Sequence, residues 1–224
     1  MARTDDTARE EIVYYSKKVH ASGLVCATDG NLSYRLDQDR FLITPSGVRK
    51  EDVSGEMLLV MNMEGAVLEG EGRPSTEYKL HREVYRQRPD VTAVIHAHPP
   101  KAVAFTIAGK RLNTGLLPEC VVALGNVPLA PYALPGTEEL PRSMAELICL
   151  SDVVLLARHG SVTVGSSLGE AFKKLEKLEH CAQIQLYAEL LGGPQPFSTR
   201  EISDLEGLRG HYGISNRTMP FREV

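Results

Sequence analysis

Apolar residues in the first part of the chain recur with two periods, one typical of helices and one typical of strands. At 7–21 they follow the helical period, which predicts an amphipathic helix that Gly23 closes. Short apolar or alternating runs follow at 31–36, 41–44 and 57–61, separated by residues that favour turns. The pattern therefore predicts one helix followed by a meander of three strands.

The rest of the chain alternates strands with helices and ends in a polar tail. Ser75 or Thr76 is expected to cap the second helix, and Thr137 the fourth. No repeat, low-complexity segment or linker interrupts the pattern. We therefore expect one α/β domain over residues 1–224, with a central, mostly antiparallel mixed β-sheet flanked by helices in α-β-α layers. The predicted helices are 76–87, 99–107, 138–150, 167–191 and, in the tail, 203–208, and the predicted strands are 91–95, 152–157 and 162–164.

Composition narrows the class of protein further. The 224 residues are 42% hydrophobic and 24% charged, which is enough apolar material for one sizeable core. A net charge of -4 argues against broad electrostatic capture of nucleic acid or of an acidic membrane surface. The four cysteines form no CxxC pair, and no apolar stretch approaches the roughly 20 residues that span a bilayer. We expect a cytoplasmic protein with reduced thiols, in which any anionic substrate is held by a local site.

Three histidines follow apolar runs that read as buried strands. His96 and His98 are two residues apart, so on a strand both imidazoles point to one side. An isolated HxH pair is more often a core or surface pair without metal. His159 comes directly after a second buried run and changes that balance, because three imidazoles at strand ends are a suitable ligand set for a catalytic zinc with one open position.

Three polar segments are candidates for holding an anion. Residues 74–77 place two hydroxyl groups and the Glu77 carboxylate where a helix is predicted to begin, and a helix N-terminus attracts phosphate. The same residues also fit an ordinary N-cap with an acidic first turn. Residues 30–31 and 44–47 lie beside predicted strands and offer backbone N–H groups and short polar side chains, although each alone also fits a simple turn.

These motifs, in this order, resemble the class II aldolase and adducin family, specifically the L-fuculose-1-phosphate aldolase branch of zinc aldolases. The resemblance extends from the first helix to Tyr212. It rests on the segments 30–33 (GNLS), 43–47 (ITPSG), 74–77 (PSTE), 93–98 (AVIHAH), 130–133 (APYA) with 136–137 (GT), and 158–160 (RHG).

The resemblance assigns roles to particular residues. It implies that Glu77 is the fourth metal ligand in the resting site and the acid/base once substrate arrives. It implies that Tyr212, in the tail 194–224, reaches the active site of an adjacent subunit in a cyclic homotetramer and acts there as a second catalytic group. The implied metal ligands are His96, His98, His159 and Glu77, and the implied phosphate-binding residues are Gly30, Asn31, Ser46, Gly47, Ser75 and Thr76.

The implied activity is that of a class II, metal-dependent aldehyde-lyase. Such an enzyme reversibly cleaves a ketose 1-phosphate to dihydroxyacetone phosphate and an aldehyde through a metal-stabilised enediolate. Three imidazoles favour Zn²⁺, and Mn²⁺ or Co²⁺ are alternatives. The chain departs from the family where fuculose-phosphate aldolases have a second catalytic tyrosine, because Pro118 or Glu119 falls at that place. The substrate is thus L-fuculose 1-phosphate or a related 5-deoxypentulose 1-phosphate, and Glu119 is either a pocket residue or a solvated loop carboxylate.

Other branches of the family give alternative predictions. Sugar-phosphate 4-epimerases keep the three histidines but carry aspartate where this chain has Glu77. Methylthioribulose-1-phosphate dehydratases place the catalytic carboxylate elsewhere, and adducin-like interaction modules lose the metal histidines. Among residues outside the motifs, His81 and His180 are expected to lie on helices among charged residues without a role in the site, and Tyr132 is expected to contribute packing.

Overall fold

The computed structural model describes residues 5–221, which form seven α-helices, eight β-strands and one short 3-10 helix. The predicted alternation of elements is present, and none of the helices in the described range is long and apolar enough to cross a membrane. The helices are α1 (Asp5–Ala21), α2 (Tyr78–Gln87), α3 (Pro100–Ile107), α4 (Pro118–Leu124), α5 (Glu139–Leu150), α6 (Leu168–Leu190) and α7 (Thr199–Gly207). The strands are β1 (Asn31–Arg35), β2 (Arg40–Ile43), β3 (Leu59–Asn62), β4 (Val67–Glu69), β5 (Ala93–Ala97), β6 (Leu129–Ala130), β7 (Val153–Leu156) and β8 (Gly160–Gly165).

The eight strands form one mixed sheet in the order β4-β3-β2-β1-β5-β8-β7-β6. Every neighbouring pair is antiparallel except β6 and β7, which are parallel. This confirms the predicted mixed, mostly antiparallel sheet. Strand β5 lies near the middle, with Asn31 of β1 opposite His96 on one side and Val162 of β8 opposite it on the other.

Apolar side chains alternate between the two faces of β5 and define the layers. Ile95 packs in a core that includes side chains of α1 and α6, whereas Val94 packs in a second core that includes side chains of α2 and α5. Because side chains two apart share a face, His96 lies on the same face as Val94 and therefore on the side of α2. The two-residue period that orders the core also sets the position of the first histidine.

Several predicted boundaries are wrong. Neither Ser75 nor Thr76 is the N-cap of α2, because Glu77 holds that position without a capping hydrogen bond from its side chain. The Ser75 hydroxyl instead accepts from the backbone N–H of Glu77 at 3.3 Å, which closes a turn before the helix begins. Thr137 is likewise displaced by Glu138 as the N-cap of α5.

Helix α4, strands β4 and β6 and the 3-10 helix Gly55–Met57 were not predicted, and one packing prediction fails. Helix α4 has only seven residues, and strands β4 and β6 have three and two, lengths at which no period can be recognised. The tail helix begins at Thr199 rather than 203, because Ser198 and Glu201 form a capping box. Tyr132 is 60% exposed, so it is not a packing residue.

A buried ionic cluster connects α2, β7 and α6. The Asp152 carboxylate accepts from Arg88 and from Lys174, each at 2.7 Å, and all three side chains are buried. Arg88 also binds Asp90 at 2.7 Å and Lys174 also binds Glu170 at 2.6 Å, but both of these second carboxylates are partly exposed, whereas Asp152 is buried. Two buried cations therefore depend on one buried anion.

Replacing Asp152 by Asn should lower the free energy of unfolding by about 3 kcal/mol, because it removes the buried countercharge that two buried cations share and leaves each with only a partly exposed carboxylate. The matched change Asp90→Asn removes a half-exposed partner of the same arginine and should cost less than about 1 kcal/mol. Chemical denaturation of both variants measures the difference. Equal costs would contradict the assignment of Asp152 as the central anion.

Candidate metal centre and anion pocket

Three elements bring the candidate metal ligands together. His96 is on β5 and His98 lies just beyond it, His159 lies in the tight turn between β7 and β8, and Glu77 is the residue before α2. The turn packs directly on the imidazoles. A Cβ atom on Gly160 would lie 2.5 Å from the Ala97 carbonyl oxygen and 2.7 Å from the His98 ring, so only glycine fits there.

The four donor groups converge on one point. Glu77 Oε2 lies 3.1 Å from His96 Nε2, and Glu77 Oε1 lies 3.1 Å from His159 Nε2. The Nε2 atoms of His96 and His98 are 3.0 Å apart. One ligand atom from each of the four residues lies within 4.8 Å of all the others. The predicted ligands therefore form one compact group.

The donor set fits a divalent cation. Neighbouring ligand atoms in a tetrahedral zinc site are about 3.3 Å apart, close to the separations found here. Within the described residues, Glu77 Oε1 and His159 Nδ1 are buried and have no hydrogen-bond partner. Lone pairs of neutral imidazoles that face each other and a carboxylate repel unless a positive charge lies between them. Three nitrogens and one oxygen then satisfy Zn²⁺, Co²⁺ or Mn²⁺.

Neighbouring groups orient the ligands. His96 Nδ1 lies 3.0 Å from the Ser161 carbonyl oxygen, so Nδ1–H donates to it and the Nε2 lone pair faces the other ligands. Asp29 Oδ2 lies 3.7 Å from His98 Nδ1. Both contacts place the proton-bearing side of an imidazole away from the centre.

Ionisation in the group favours cation binding. Burial disfavours the charged form of Glu77, but His96 and His159 outweigh it and hold the pKa of this carboxyl well below its usual range. Burial, with the charges of His96 and His159, lowers the pKa of His98 to about 3. Burial would also lower the pKa of His96, yet the Glu77 carboxylate raises it above its usual value. At neutral pH Glu77 is ionised and His98 is neutral, as ligands must be.

One cavity of about 260 Å³ contains the candidate phosphate residues and the edge of the metal group. Within the described residues, no backbone carbonyl accepts from the N–H of Gly47 or of Thr76, so both N–H groups are free for an anion. The N–H of Ser46 is not, because it donates to the Arg73 carbonyl at 2.9 Å, and only the Ser46 hydroxyl remains. The lining residues include Gly30, Asn31, Ser46, Gly47, Ser75, Thr76, Glu77, His98 and His159.

Gly30 lets the first loop of this cavity lie against β5. Its φ is +74°, in the left-handed region. A Cβ at this position would lie 2.5 Å from Val25 Cγ1 and 3.0 Å from the His96 carbonyl oxygen. A side chain there would force the loop away from the strand that carries the metal ligand.

Tyr212 and Glu119 do not join this cavity within one chain. Tyr212 is 63% exposed and lines a separate surface cavity together with Pro118, Glu119 and Leu208. Glu119 lies on α4 and is exposed, so it is a helical residue rather than a loop carboxylate. Glu119, where this chain departs from the family, and Tyr212, which the resemblance makes a catalytic group, therefore line the same surface cavity.

Two residues of the site were missed from sequence. His81 was expected to lie among charged residues, and this is wrong, because it is fully buried and contacts Asn31. Its four-residue spacing from Glu77 along α2 was the available signal.

The sequence around Lys50 contains no feature that predicts a place beside the cavity. The ammonium group of Lys50 is buried and donates to the carbonyls of Thr28 at 3.0 Å and Val48 at 2.8 Å, which ties two loops of the cavity together, and burial lowers its pKa to about 8.

Comparison with known proteins identifies the family. The family model of the Class II Aldolase and Adducin N-terminal domain matches residues 10–186. The chain therefore belongs to the class II aldolase and adducin family. It is an enzyme of the aldolase class, a lyase. Enzymes of this class use a divalent metal, and the three histidines with Glu77 form a group that could bind one.

Three known proteins show the likeness in more detail. The 5-deoxy-D-ribulose 1-phosphate aldolase of Bacillus thuringiensis serovar kurstaki is 35% identical over 207 residues, which are 92% of this chain and 96% of that protein. The 3-oxo-tetronate 4-phosphate decarboxylase of Escherichia coli O6:H1 is 33% identical over 187 residues, 82% of this chain and 88% of that protein. A solved L-fuculose 1-phosphate aldolase superposes with a TM-score of 0.83 at 33% identity, covering 92% of this chain and 97% of that one.

Replacing His96 by Ala should abolish stoichiometric binding of Zn²⁺, because it removes the one ligand that is both fully buried and fixed by a backbone carbonyl. The matched change is His180→Ala on the exposed side of α6, which should leave metal content unchanged. Metal analysis after dialysis against zinc measures both. Full zinc occupancy in the His96 variant would exclude this group as the metal centre.

Proposed function

We propose that this protein is a metal-dependent aldolase that reversibly cleaves a ketose 1-phosphate to dihydroxyacetone phosphate and an aldehyde. One observation carries the proposal: the three histidines and Glu77 converge at one end of the cavity that the candidate phosphate residues line. A phosphate and a reacting carbon of one small molecule can then be bound at the same time. The best candidates for the substrate are a 5-deoxypentulose 1-phosphate and L-fuculose 1-phosphate, in line with the relatives.

In this proposal the cavity wall binds the phosphate group. The hydroxyl groups of Ser46, Ser75 and Thr76 and the free N–H groups of Gly47 and Thr76 supply uncharged donors, and Asn31 supplies an amide N–H. The N-terminal end of α2 adds its positive dipole. The buried ammonium of Lys50 lies behind two of the loops and adds a positive charge, while its hydrogen bonds hold both loops in place.

His96, His98, His159 and Glu77 would hold the divalent metal, which we propose to be zinc. When bound, the metal is a Lewis acid that withdraws charge from the substrate oxygens as the carbon–carbon bond breaks. Once substrate is bound, Glu77 would leave the ligand set and act as the acid/base. In the cleavage direction it returns a proton to the carbon that becomes C3 of dihydroxyacetone phosphate, and in the synthetic direction it removes that proton.

Tyr212 would act in the site of a neighbouring subunit. It is exposed and lines a different cavity from the metal group of its own chain, so an assembly in which tails reach across would use it. We propose a cyclic homotetramer of this kind, with Tyr212 taking the hydroxyl proton from the departing aldehyde half. The cytoplasmic location remains a prediction from the sequence.

Decarboxylation is the second candidate, and the likeness to 3-oxo-tetronate 4-phosphate decarboxylases favours it. Loss of CO₂ from a 3-oxo acid 4-phosphate and loss of an aldehyde from a ketose 1-phosphate leave the same phosphorylated three-carbon fragment with negative charge beside a carbonyl. The same phosphate, metal and Glu77 groups serve both reactions. Only the groups around the departing fragment need to differ. The epimerase alternative ranks lower because its branch carries aspartate where this chain has Glu77.

The experiment that tests the proposal offers the zinc-loaded protein 5-deoxyribulose 1-phosphate, L-fuculose 1-phosphate and 3-oxo-tetronate 4-phosphate separately. Dihydroxyacetone phosphate and the released aldehyde or CO₂ are measured. We expect release from at least one ketose 1-phosphate, with acetaldehyde from the first or lactaldehyde from the second. Release of CO₂ alone would replace the aldolase assignment by the decarboxylase. No release from any of the three would contradict both.

A matched variant links that turnover to the proposed acid/base. Glu77→Gln should reduce turnover at least about 100-fold, because an amide cannot transfer the proton, while inorganic phosphate still binds. Glu83→Gln, on the same helix and outside the cavity, should leave turnover unchanged.

Tyr212→Phe should lower turnover without changing zinc content, because it removes one hydroxyl at the surface and no packing contact of the tail. Truncation before Gly210 is a less sharp test, since it also removes Asn216, which donates to the Ala123 carbonyl, and Arg217, which donates to the Cys149 carbonyl. Tyr14→Phe on α1 is the control, as that side chain is also half-exposed. Unchanged steady-state rates in the Tyr212 variant would mean that the tail is passive.

A further inference from the structure

A line of buried polar side chains runs from the metal group into the layer between the sheet and α2. Asn31 Nδ2 lies 3.0 Å from Glu77 Oε2, and Asn31 Oδ1 lies 2.5 Å from His81 Nε2. On the other side of the ring, His81 Nδ1 lies 2.5 Å from Ser33 Oγ, which lies 2.7 Å from the Tyr85 hydroxyl. We refer to these five side chains as the Tyr85–Glu77 chain.

The chemistry of the groups fixes the direction of each hydrogen bond in the Tyr85–Glu77 chain. An ionised carboxylate only accepts, so Asn31 turns its amide NH₂ toward Glu77 and its carbonyl oxygen toward His81. That oxygen also only accepts, so the imidazole proton is on Nε2. His81 Nδ1 then accepts from the Ser33 hydroxyl, and Ser33 Oγ accepts from Tyr85.

Burial keeps water away from this arrangement, and the competing acceptor nearest to Tyr85 is the Thr92 carbonyl at 3.4 Å, further than Ser33 Oγ at 2.7 Å. His81 and Ser33 are fully buried, and Asn31 and Tyr85 are nearly so. Burial lowers the pKa of His81 to about 3, so the ring is neutral at physiological pH and has a single N–H to donate. Burial likewise raises the pKa of Tyr85 above its usual value, so its proton stays in place.

We propose that His81 is a positioning residue whose Nε2–H locks the Asn31 amide with its NH₂ group turned into the cavity. The inference rests on the proposed function for the identity of the anion in the cavity. Asn31 has two N–H bonds. One donates to Glu77 Oε2, and the other is the group that Asn31 offers to the substrate phosphate, because Asn31 also lines the cavity.

The orientation of the Asn31 amide must be fixed because its NH₂ group donates hydrogen bonds, whereas its oxygen only accepts them. Without a donor on the His81 side, rotation of the Asn31 amide would turn its oxygen toward Glu77 and toward the phosphate. Oxygen would then face two anions, and both contacts would become repulsive. His81 prevents that rotation because its proton can bind only an oxygen. Ser33 and Tyr85 act one step further away, by keeping the proton on Nε2.

The test compares two amide side chains at position 81. Glutamine places its amide nitrogen near the position of imidazole Nε2, so His81→Gln retains a donor for Asn31. Asparagine reaches only the position of Nδ1, so His81→Asn retains polarity near Ser33 but loses that donor. Both variants are neutral and both leave a smaller side chain in the core. Their difference therefore reports on the donor to Asn31 rather than on polarity.

The readouts are inorganic phosphate affinity by titration calorimetry, zinc content, KM and kcat, and the free energy of unfolding. In His81→Asn we expect phosphate affinity to fall, and KM to rise, by about tenfold or more, since a charge-assisted hydrogen bond is lost. In His81→Gln we expect both to stay within about threefold of the unchanged protein. Zinc content should be retained in both.

Equal phosphate affinity in the two variants would overturn the proposal, because a purely structural histidine would affect both in proportion to stability. If His81→Asn does not fold, the ¹⁵N chemical shifts of the His81 ring in the unchanged protein decide, since the proposal requires a neutral imidazole with its proton on Nε2. A proton on Nδ1 would also overturn it.

The outcome is separable from that of the proposed function. A protein that binds phosphate but turns over no ketose phosphate would refute the aldolase, while the contrast between asparagine and glutamine would still decide the role of His81. A protein that binds no inorganic phosphate at all would refute the proposed phosphate site and the positioning role together.

Discussion

The antiparallel pairing of β5 with β1 and with β8 decides where the polar groups of the site lie. Its register places Asn31 and Val162 on either side of His96, so one metal ligand is held between two neighbouring strands. The hairpin of β7 and β8 then delivers His159 to the same edge, and α2 packs over the face to which His96 points. A shift of one residue in either register would turn His96 to the opposite face of the sheet.

This arrangement costs stability, and the cost explains several features around it. Four ligand atoms that repel one another are held within 4.8 Å, and two of the neighbouring polar atoms are buried without partners in the described structure. Apolar layers on both faces of the sheet offset that cost. Glycine at 160 admits the turn against the imidazoles, and a bound cation would offset the remaining cost, which would couple metal binding to folding.

The strands and their histidines could be predicted because a buried strand followed by a ligand leaves a clear pattern. For the cavity loops, the sequence predicts which segments take part but not the contacts that their individual groups make. Nothing in the sequence shows that the Ser46 N–H is bonded to Arg73 or that Lys50 turns inward beneath two loops. Ser75 was predicted to cap α2 because short hydroxyl residues before a helix usually do, whereas here it closes the preceding turn and leaves the N-cap position to Glu77.

His81 shows a more general limit. Helix α2 carries Lys79, Arg82 and Arg86, so its sequence is typical of a solvent-exposed helix with a narrow apolar stripe. A histidine in such a stripe can satisfy its two nitrogens only with partners from other elements, and here both come from β1. Those partners are about 50 residues away in sequence, as the pairs Ser33–His81 and Asn31–His81 are separated by 48 and 50 positions. The local sequence pattern predicts which side of a helix is buried. It does not predict which polar groups of other elements will contact that side.

The distribution of polar groups over the molecule also separates the candidate phosphate and metal residues from the candidates for contacting the aldehyde fragment. The candidate phosphate and metal residues lie at one cavity of a single chain, and in the proposed function they would serve cleavage whichever fragment departs. Glu119 and Tyr212, which are the candidates for contacting the aldehyde fragment, lie together on another surface, where α4, α7 and the tail meet. If that surface covers the cavity of a neighbouring subunit, the departing fragment is selected by groups that a single chain never brings to its own metal. Substrate choice would then be a property of the assembly, and the sequence of the cavity alone would not distinguish an aldehyde from CO₂ as the leaving fragment.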